Sequence, residues 1–183
     1  MFTISLVSMP GSILWITGLS AAGKTTIAEE FIRKTSHHAV PTILLDGDTI
    51  RRLFDDDLGY DERSRIKHIL RIQKLAGFLA LNDINVVVAA LYSNPEILLE
   101  NRRTFTKYFE VYLKADVRNL LLRQNNFLYT RAVNGEIDNV VGIDVPWFEP
   151  QHADLVIDTN VLSPPAEIVE QIINSWRLAL EKE

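Results

Sequence analysis

The chain has 183 residues, a length that suits a single domain with a sizeable hydrophobic core. It contains no cysteine, which excludes disulfide bonds, zinc sites built on thiolates and cysteine nucleophiles. The net charge of −5 argues against a broad nucleic-acid-binding surface. No apolar run is long enough for a transmembrane helix, and residues 1–8 lack the basic start of a signal peptide. We therefore expect a cytoplasmic protein with neither nucleic acid nor membrane as a partner.

Five apolar, β-favouring segments alternate with helical segments along the chain. The predicted strands are Ile13–Thr17, Thr42–Leu45, Asn85–Ala90, Glu110–Lys114 and Asp154–Ile157. Four of them are apolar almost throughout, as strands are when both faces of a sheet are covered. The alternation predicts an α/β fold in which a five-stranded parallel sheet is flanked by helices.

Helical periodicity covers most of the chain between the strands. The predicted helices are Thr26–Lys34, Glu62–Leu81, Pro95–Lys107, Val117–Gln124 and Pro165–Leu180. Residues 124–150 are polar and irregular, and we expect residues 124–142 to act as a lid over a bound nucleotide. An ordinary surface excursion is the alternative. The single domain is expected over residues 12–183, after an N-terminal extension of residues 1–11.

Residues 18–25 fit the phosphate-loop pattern G-x-x-x-x-G-K-[ST] at every fixed position, between a predicted strand and a predicted helix. Backbone N–H groups of such a loop, together with the N-terminus of the following helix, bind phosphate. Lys24 is expected to reach the β- and γ-phosphates of ATP, and the Thr25 hydroxyl to bind Mg²⁺. The expected nucleotide-binding residues are Gly18, Ser20, Ala21, Ala22, Gly23, Lys24, Thr25 and Thr26.

Two acids follow the second predicted strand, at Asp46 and Asp48, and Arg51 comes soon after them. Ligands of parallel α/β sheets bind at the carboxyl ends of strands, so these side chains should face the phosphate loop. Phosphoryl transfer needs a carboxylate that orients the acceptor hydroxyl or accepts its proton. Asp48 is the candidate base, with Asp46 as an alternative base or a water-mediated Mg²⁺ ligand. Asp48 could instead cap the following helix.

From about Ile13 to Thr159 the chain resembles the adenylylsulfate (APS) kinase family. The resemblance rests on an ordered set of motifs: the phosphate loop, Asp46–Arg51 as D-G-D-x-[IV]-R, Leu58–Gly59–Tyr60, Glu110–Val111–Tyr112, Leu128–Tyr129, Gly135–Glu136–Ile137 and Gly142–Ile143–Asp144 with Pro146. It implies a phosphate-loop kinase fold with strand order 2-3-1-4-5, compatible with a homodimer. It also implies transfer of the γ-phosphoryl of Mg-ATP to the ribose 3′-hydroxyl of adenosine 5′-phosphosulfate, a step of sulfate assimilation.

The resemblance implies roles for individual residues. Asp48 matches the family's proposed base, and Arg51 and Arg65 match arginines that bind the acceptor nucleotide. Tyr60 matches an aromatic residue that stacks on the acceptor base. Arg123 matches an arginine near the base of ATP.

The departures from the family pattern cluster on the acceptor side. His68 stands where the family has an amide, and Val140 stands where it has the aromatic other half of the base sandwich. Several cations are missing, and Arg131 is the one kept in the segment that matches Y-K-K-A-R. Ser93 matches a serine beside the active site, and this serine is phosphorylated in some members of the family. We expect these four residues to line the acceptor site.

The donor residues are intact and the acceptor side is modified. This combination indicates a kinase whose sequence does not fix which acceptor it phosphorylates. APS is the nominal acceptor. The alternative is cytidine diphosphoramidate, a pyrimidine nucleotide that APS-kinase-like enzymes of capsular polysaccharide biosynthesis phosphorylate. Further alternatives are a kinase of another small metabolite and a non-catalytic ATP-binding regulator. The intact Lys24, Thr25 and Asp48 speak against the regulator.

Overall fold

A computed structural model describes residues 11–36, 40–91, 94–123, 127–161 and 163–180. Its strands are β1 (Ile13–Gly18), β2 (Thr42–Asp46), β3 (Asn85–Ala90), β4 (Tyr108–Lys114) and β5 (Leu155–Asp158). All pairings are parallel, and the strands form a sheet in the order β2-β3-β1-β4-β5. The predicted fold class and strand order are therefore confirmed.

Helices connect the strands. They are α1 (Lys24–Thr35), α2 (Gly47–Leu53), α3 (Glu62–Leu81), α4 (Pro95–Thr104), α5 (Val117–Leu121), α6 (Phe127–Val133) and α7 (Pro165–Leu180). Helices α3 and α7 have the bounds that their periodicity predicts. None of the helices in these ranges is long and apolar enough to cross a membrane.

The largest differences from the predicted elements lie around short helices. Helix α2 was not predicted, and α6 lies inside the segment expected to be irregular, so that expectation is wrong for Phe127–Val133. Tyr129 and Ala132 are the buried residues of α6, and their spacing of three gives this short helix one face against the protein. Helix α4 ends at Thr104, before the predicted Lys107, because Phe105 has extended backbone angles.

An aromatic cluster joins α1 and α7 on one face of the sheet. The Trp176 ring stacks on Phe31 of α1 at 6.2 Å and on Phe109 of β4 at 5.4 Å between ring centroids. Helix α3 buries Ile69 and Ile72 and packs against β3. Since the chain crosses the sheet in opposite directions through α1 and α3, right-handed crossovers put these helices on opposite faces. The central strands are therefore covered on both sides.

A buried polar cluster lies near the amino end of β4. Glu110 is 1% exposed, and its Oε2 atom lies 3.4 Å from Arg102 Nη2 and accepts a 3.0 Å hydrogen bond from the Tyr108 hydroxyl. Arg102 Nη1 also lies 2.9 Å from Asp154 Oδ1. Burial raises the pKa of Glu110, against the opposing effects of Tyr108 and Arg102. The cluster ties α4 to β4 and to the segment before β5, and leaves the carboxyl ends of the strands free for a ligand.

Candidate active site

A cavity of about 1300 Å³ opens at the carboxyl ends of the central strands. It is bordered by the phosphate loop, the starts of α1 and α2, one side of α3 and residues 137–141. Most of the predicted site residues line it: Ser20, Ala21, Gly23, Lys24, Thr25, Thr26, Asp46, Asp48, Arg51, Tyr60, Arg65, His68, Arg123 and Val140. The donor and acceptor residues expected from the sequence therefore meet in one space.

Three predicted site residues that the structure describes are not brought to this cavity. Gly18 and Ala22 belong to the phosphate loop but are buried away from the cavity surface. Arg131 is exposed and pairs with Glu136 at 3.3 Å, so its geometry gives no support to the expected acceptor contact. Ser93 lies outside the described residues.

The phosphate loop needs glycine at two positions for different reasons. Gly23 has a φ angle of 100°, in the left-handed region that side chains disfavour. A Cβ atom at Gly18 would lie 2.6 Å from the carbonyl oxygen of Leu113 on β4. Gly23 gives the loop its final turn into α1, and Gly18 lets the loop lie close against the sheet.

Lys24 is the cation of the phosphate loop. Its Nζ atom donates a 2.8 Å hydrogen bond to the Leu19 carbonyl, which folds the side chain back over the loop. Burial lowers the pKa of Lys24 to about 8, while Asp48 and Asp46 act in the opposite direction. An incoming phosphate would add negative charge beside this ammonium group and favour its protonated form.

Asp46 connects the phosphate loop to β2 and α2. Its Oδ2 atom accepts a 2.8 Å hydrogen bond from the Thr25 hydroxyl, and its Oδ1 atom accepts a 3.0 Å hydrogen bond from the Thr49 amide. Asp46 is thus the N-cap of α2. The capping role considered for Asp48 therefore belongs to its neighbour.

Asp48 lies in the first turn of α2, exposed to the cavity. Within the described chain, no hydrogen bond or ion pair to its carboxylate is found. Its carboxylate is close enough to Lys24 to influence the pKa of that lysine. A free carboxylate beside the phosphate-loop cation is suited to accept a proton from a hydroxyl group.

Two arginines and a tyrosine lie together on the side of the cavity where the sequence predicts the acceptor. Arg51 Nη1 donates to the carbonyls of Leu58 at 2.9 Å and Gly59 at 3.1 Å. Its guanidinium carbon lies 4.6 Å from the centre of the Tyr60 ring. The guanidinium of Arg51 is therefore engaged with the protein itself, while its face supports the tyrosine ring.

Arg65 makes a similar set of contacts from α3. Its Nε atom donates to the Tyr60 carbonyl at 2.7 Å, and its Nη2 atom donates to the Asn139 carbonyl at 2.6 Å. The guanidinium carbon lies 5.5 Å from the Tyr60 ring centre. Arg65 therefore joins the start of α3 to the segment that closes the cavity.

His68 and Val140 occupy the positions at which the sequence departs from its family pattern. His68 Nε2 lies 2.9 Å from the Gly47 carbonyl oxygen. Burial, followed by the nearby Arg51 charge, lowers the pKa of His68. Val140 is 4% exposed, and its amide donates a 2.6 Å hydrogen bond to Asp144 Oδ1. The side of the cavity predicted for the acceptor thus has an imidazole whose burial disfavours its charged form, and an aliphatic wall.

Arg123 connects distant parts of the donor side. Nη1 donates to the Ala21 carbonyl, and Nη2 donates to the Thr159 carbonyl after β5. The sequence reasoning missed Asn119 and Asn160, which also line this part of the cavity and are hydrogen-bonded to each other at 2.9 Å. Asn160 follows the carboxyl end of β5, so the strand-end rule could have identified it.

Comparison with known proteins identifies the family of this chain. A protein-family model described as adenylylsulphate kinase matches residues 10–158. Among curated relatives, the cytidine diphosphoramidate kinase of Campylobacter jejuni is 39% identical over 166 residues, which cover 91% of this chain and 96% of that protein. A probable adenylyl-sulfate kinase of Pseudomonas aeruginosa is 34% identical over 157 residues, covering 85% of this chain and 72% of the relative.

A solved structure is similar over nearly the whole chain. The APS kinase of Mycobacterium tuberculosis, in complex with AMPPNP and APS, superposes with a TM-score of 0.83 at 28% identity. The match covers 91% of this chain and 97% of that structure. The fold is therefore shared with a structure that holds AMPPNP and APS.

Proposed function

Because this chain belongs to the adenylylsulfate kinase family, whose members are ATP-dependent phosphotransferases acting on an alcohol group, we propose that it phosphorylates the ribose 3′-hydroxyl of a cytidine nucleotide of the diphosphoramidate type. Adenosine 5′-phosphosulfate is the second candidate acceptor. The observation that carries the proposal is the acceptor side of the cavity. It has an aliphatic wall at Val140 and two arginines whose guanidinium groups bind backbone carbonyls.

The wall at Val140 is suited to a small base. An aromatic ring opposite Tyr60 would hold a purine between two faces, and stacking contributes about 1–3 kcal/mol per base. Val140 offers no such face, so a large purine gains less here. A pyrimidine can use Tyr60 alone, which is 55% exposed and lines the cavity.

The positive charge available to the acceptor is also limited. Arg51 and Arg65 donate hydrogen bonds to the carbonyls of residues 58, 59, 60 and 139. An anionic group of the acceptor would have to share these donors or replace the carbonyls. Charge-assisted hydrogen bonds contribute about 1.5–3 kcal/mol each, so an anionic acceptor gains less of this energy here. APS and cytidine diphosphoramidate carry the same formal charge, so the choice between them rests on the base.

The donor half fits Mg-ATP. Lys24 and the amides of the phosphate loop would bind the β- and γ-phosphates. The Thr25 hydroxyl and the Asp46 carboxylate lie 2.8 Å apart and supply two hard oxygen ligands of the kind that Mg²⁺ prefers beside phosphates and water. When bound there, Mg²⁺ would neutralise charge on the phosphates. Arg123 would border the base of ATP.

The proposed chemistry is an in-line transfer. Asp48 accepts the proton of the acceptor hydroxyl as the hydroxyl oxygen attacks the γ-phosphorus and the bond to the β,γ-bridging oxygen breaks, with ADP as the leaving group. Lys24 faces the charge that develops on the transferred group. The segment around residues 137–141 borders the acceptor and would exclude water from the reaction.

An acceptor screen tests the proposal. The protein, with Mg-ATP, is offered cytidine diphosphoramidate, CDP, AMP and APS, and kcat/KM is measured for each with the product identified by ³¹P NMR. We expect cytidine diphosphoramidate to exceed APS by at least about tenfold, the ratio that 1.4 kcal/mol gives. A higher kcat/KM for APS would reject the proposal in favour of the second candidate.

A further inference from the structure

His68 makes an unusual contact for a residue on the long helix α3. It is 7% exposed, lines the cavity, and places its Nε2 atom 2.9 Å from the carbonyl oxygen of Gly47. A carbonyl oxygen only accepts hydrogen bonds, so Nε2 must carry the ring proton. The other ring nitrogen, Nδ1, is buried and has no hydrogen-bond partner within the described residues. His68 therefore uses one nitrogen as a donor to the backbone of α2.

The Gly47 carbonyl that receives this hydrogen bond lies between Asp46 and Asp48, whose carboxylates differ in their hydrogen bonding. Asp46 is held by Thr25 and by the Thr49 amide. Asp48 has an exposed side chain whose carboxylate finds no hydrogen-bonding partner among the described residues. The direction of its carboxylate therefore depends on the backbone at Gly47, which lacks a Cβ atom and is conformationally free.

We propose that His68 is a positioning residue that fixes the Gly47 carbonyl and thereby directs Asp48 toward the acceptor hydroxyl. The proposal rests on the assignment of Asp48 as the base in the proposed function, but not on which nucleotide is the acceptor. It gives His68 a function in the rate of phosphoryl transfer. A misplacement of about 1 Å in a reacting group can reduce a rate by roughly 100-fold.

A different function would follow if His68 contacted the acceptor directly, as the amide at this position does in the family motif. In that case its replacement would change mainly the KM for the acceptor or the choice of acceptor. As a positioning residue it should change kcat and leave acceptor binding nearly intact. The two functions therefore predict opposite kinetic results.

Two amide substitutions at position 68 distinguish the function of Nε2 from that of Nδ1. In His68→Gln the amide nitrogen is four bonds from Cα, as Nε2 is in histidine, so the donor to Gly47 is kept. In His68→Asn the nitrogen is three bonds from Cα and corresponds to Nδ1. We expect His68→Gln to keep kcat within about threefold and His68→Asn to lower it by roughly 10- to 100-fold, with the acceptor KM little changed. His152→Asn, at an exposed histidine outside the cavity, is the matched control and should behave as the wild type.

The kinetic measurements use whichever acceptor the wild type phosphorylates best, so a wrong acceptor in the proposed function does not affect them. ATP affinity, measured by calorimetry, shows that each variant is folded. Equal kcat values for the Asn and Gln variants, or an effect confined to the acceptor KM, would overturn the proposal.

A second measurement needs no acceptor. Long-range ¹H–¹⁵N NMR at pH 7 should find a neutral His68 ring protonated at Nε2, with the His68→Gln spectrum identifying its signals. The Asp48 amide resonance should shift in His68→Asn more than in His68→Gln. A ring protonated at Nδ1, or equal Asp48 shifts in both variants, would contradict the proposal independently of turnover.

Discussion

The Thr25 hydroxyl donates a 2.8 Å hydrogen bond to Asp46 Oδ2, while Asp46 Oδ1 accepts a 3.0 Å hydrogen bond from the Thr49 amide. Each oxygen of the Asp46 carboxylate therefore accepts a hydrogen bond from a different element of the fold. The first joins β2 to the phosphate loop at the proposed Mg²⁺ site. The second caps α2, the helix that carries Asp48.

These two functions of Asp46 can be separated by substitution. Asn caps helices about as well as Asp, so Asp46→Asn should keep the melting temperature but weaken the Mg²⁺ dependence of ATP affinity. Asp46→Ala should lose both the cap of α2 and the Mg²⁺ ligand, and loss of the cap should lower the free energy of unfolding by about 1 kcal/mol. Calorimetric titration of ATP at several Mg²⁺ concentrations, with thermal unfolding, measures both effects. An unchanged Mg²⁺ dependence in Asp46→Asn would remove Asp46 from the metal site.

Asp48→Asn tests the proposed base. The amide cannot accept the hydroxyl proton, and general-base catalysis typically contributes 10²- to 10⁴-fold, so we expect kcat to fall by roughly that factor. The affinity for ATP should stay close to that of the wild type. Asp55→Asn is the matched control, since Asp55 is exposed, follows the same helix and lies outside the cavity. Near-normal kcat in Asp48→Asn would exclude this residue as the base.

Lys24→Met should stabilise the free protein while removing its response to ATP. Burial lowers the pKa of Lys24 from 10.5 to about 8, so below pH 8 the folded chain holds a disfavoured buried ammonium. That difference corresponds to at most ~3 kcal/mol, and partial exposure reduces it, so we expect a gain of about 1–2 kcal/mol at pH 7.

The pH dependence of this gain has a definite sign. Between pH 8 and 10.5 the folded protein has released the Lys24 proton while the unfolded chain still binds it, so stability from this group rises with pH. The advantage of Lys24→Met should therefore be largest below pH 8 and shrink toward pH 10.5. Denaturant unfolding at pH 7 and pH 9.5 measures it. An advantage that grows with pH would contradict the assigned cause.

Val140→Phe should shift acceptor preference toward purines. Val140 lines the same cavity as Tyr60, and the family resemblance implies an aromatic residue at this position as the other half of the base sandwich. A ring there would therefore add a stacking surface that contributes about 1–3 kcal/mol per base. The ratio of kcat/KM for APS to that for the cytidine acceptor should rise roughly five- to 100-fold. Val140→Leu is the control for the larger volume, because it adds bulk without an aromatic face. Equal ratios in the two variants would show that stacking is not what selects the acceptor.

Arg102→Ala should destabilise the fold far more than Glu110→Gln. Removing the guanidinium leaves the buried Glu110 carboxylate without its cation, and such unpaired buried charges cost about 3–5 kcal/mol. Gln at position 110 needs no counter-charge and can still accept from Tyr108. Arg33→Ala, which breaks the exposed pair with Glu30, should change stability little. Chemical unfolding compares the three variants. Similar losses in the free energy of unfolding for Arg102→Ala and Arg33→Ala would show that the buried cluster does not stabilise the fold more than an exposed ion pair.

The parts of this protein that follow a spacing rule could be predicted. The phosphate loop follows from a pattern whose physical requirements are local, whereas the strand order was implied by the resemblance to the APS kinase family. The APS kinase family, recognised from ordered motifs, is confirmed by the family match over residues 10–158. Lys24 and Asp48 reached the same cavity because both follow the carboxyl ends of parallel strands.

Other features depend on how loops without periodicity settle in three dimensions. In D-G-D either acid could have capped the following helix, and it is the extended backbone of Asp46 that makes this residue the cap. Arg51 and Arg65 were expected to face an anion. Their donors instead meet the carbonyls of residues 58–60 and 139. The motif Leu58–Gly59–Tyr60 places these residues in the chain but does not reveal that their carbonyls accept from the arginines. Helix α6 was missed because polar residues dominate its neighbours and only Tyr129 and Ala132 supply its buried face.

Arg123 has a consequence for synthesis of the protein on the ribosome. Its two nitrogens hold the Ala21 carbonyl of the phosphate loop and the Thr159 carbonyl beyond β5, which lie 138 positions apart in the chain. A nascent chain that has exposed residues 18–25 but not yet residue 159 has the phosphate-loop motif without this support. Arg123 can therefore hold both carbonyls only after β5 has been synthesised and has joined the sheet.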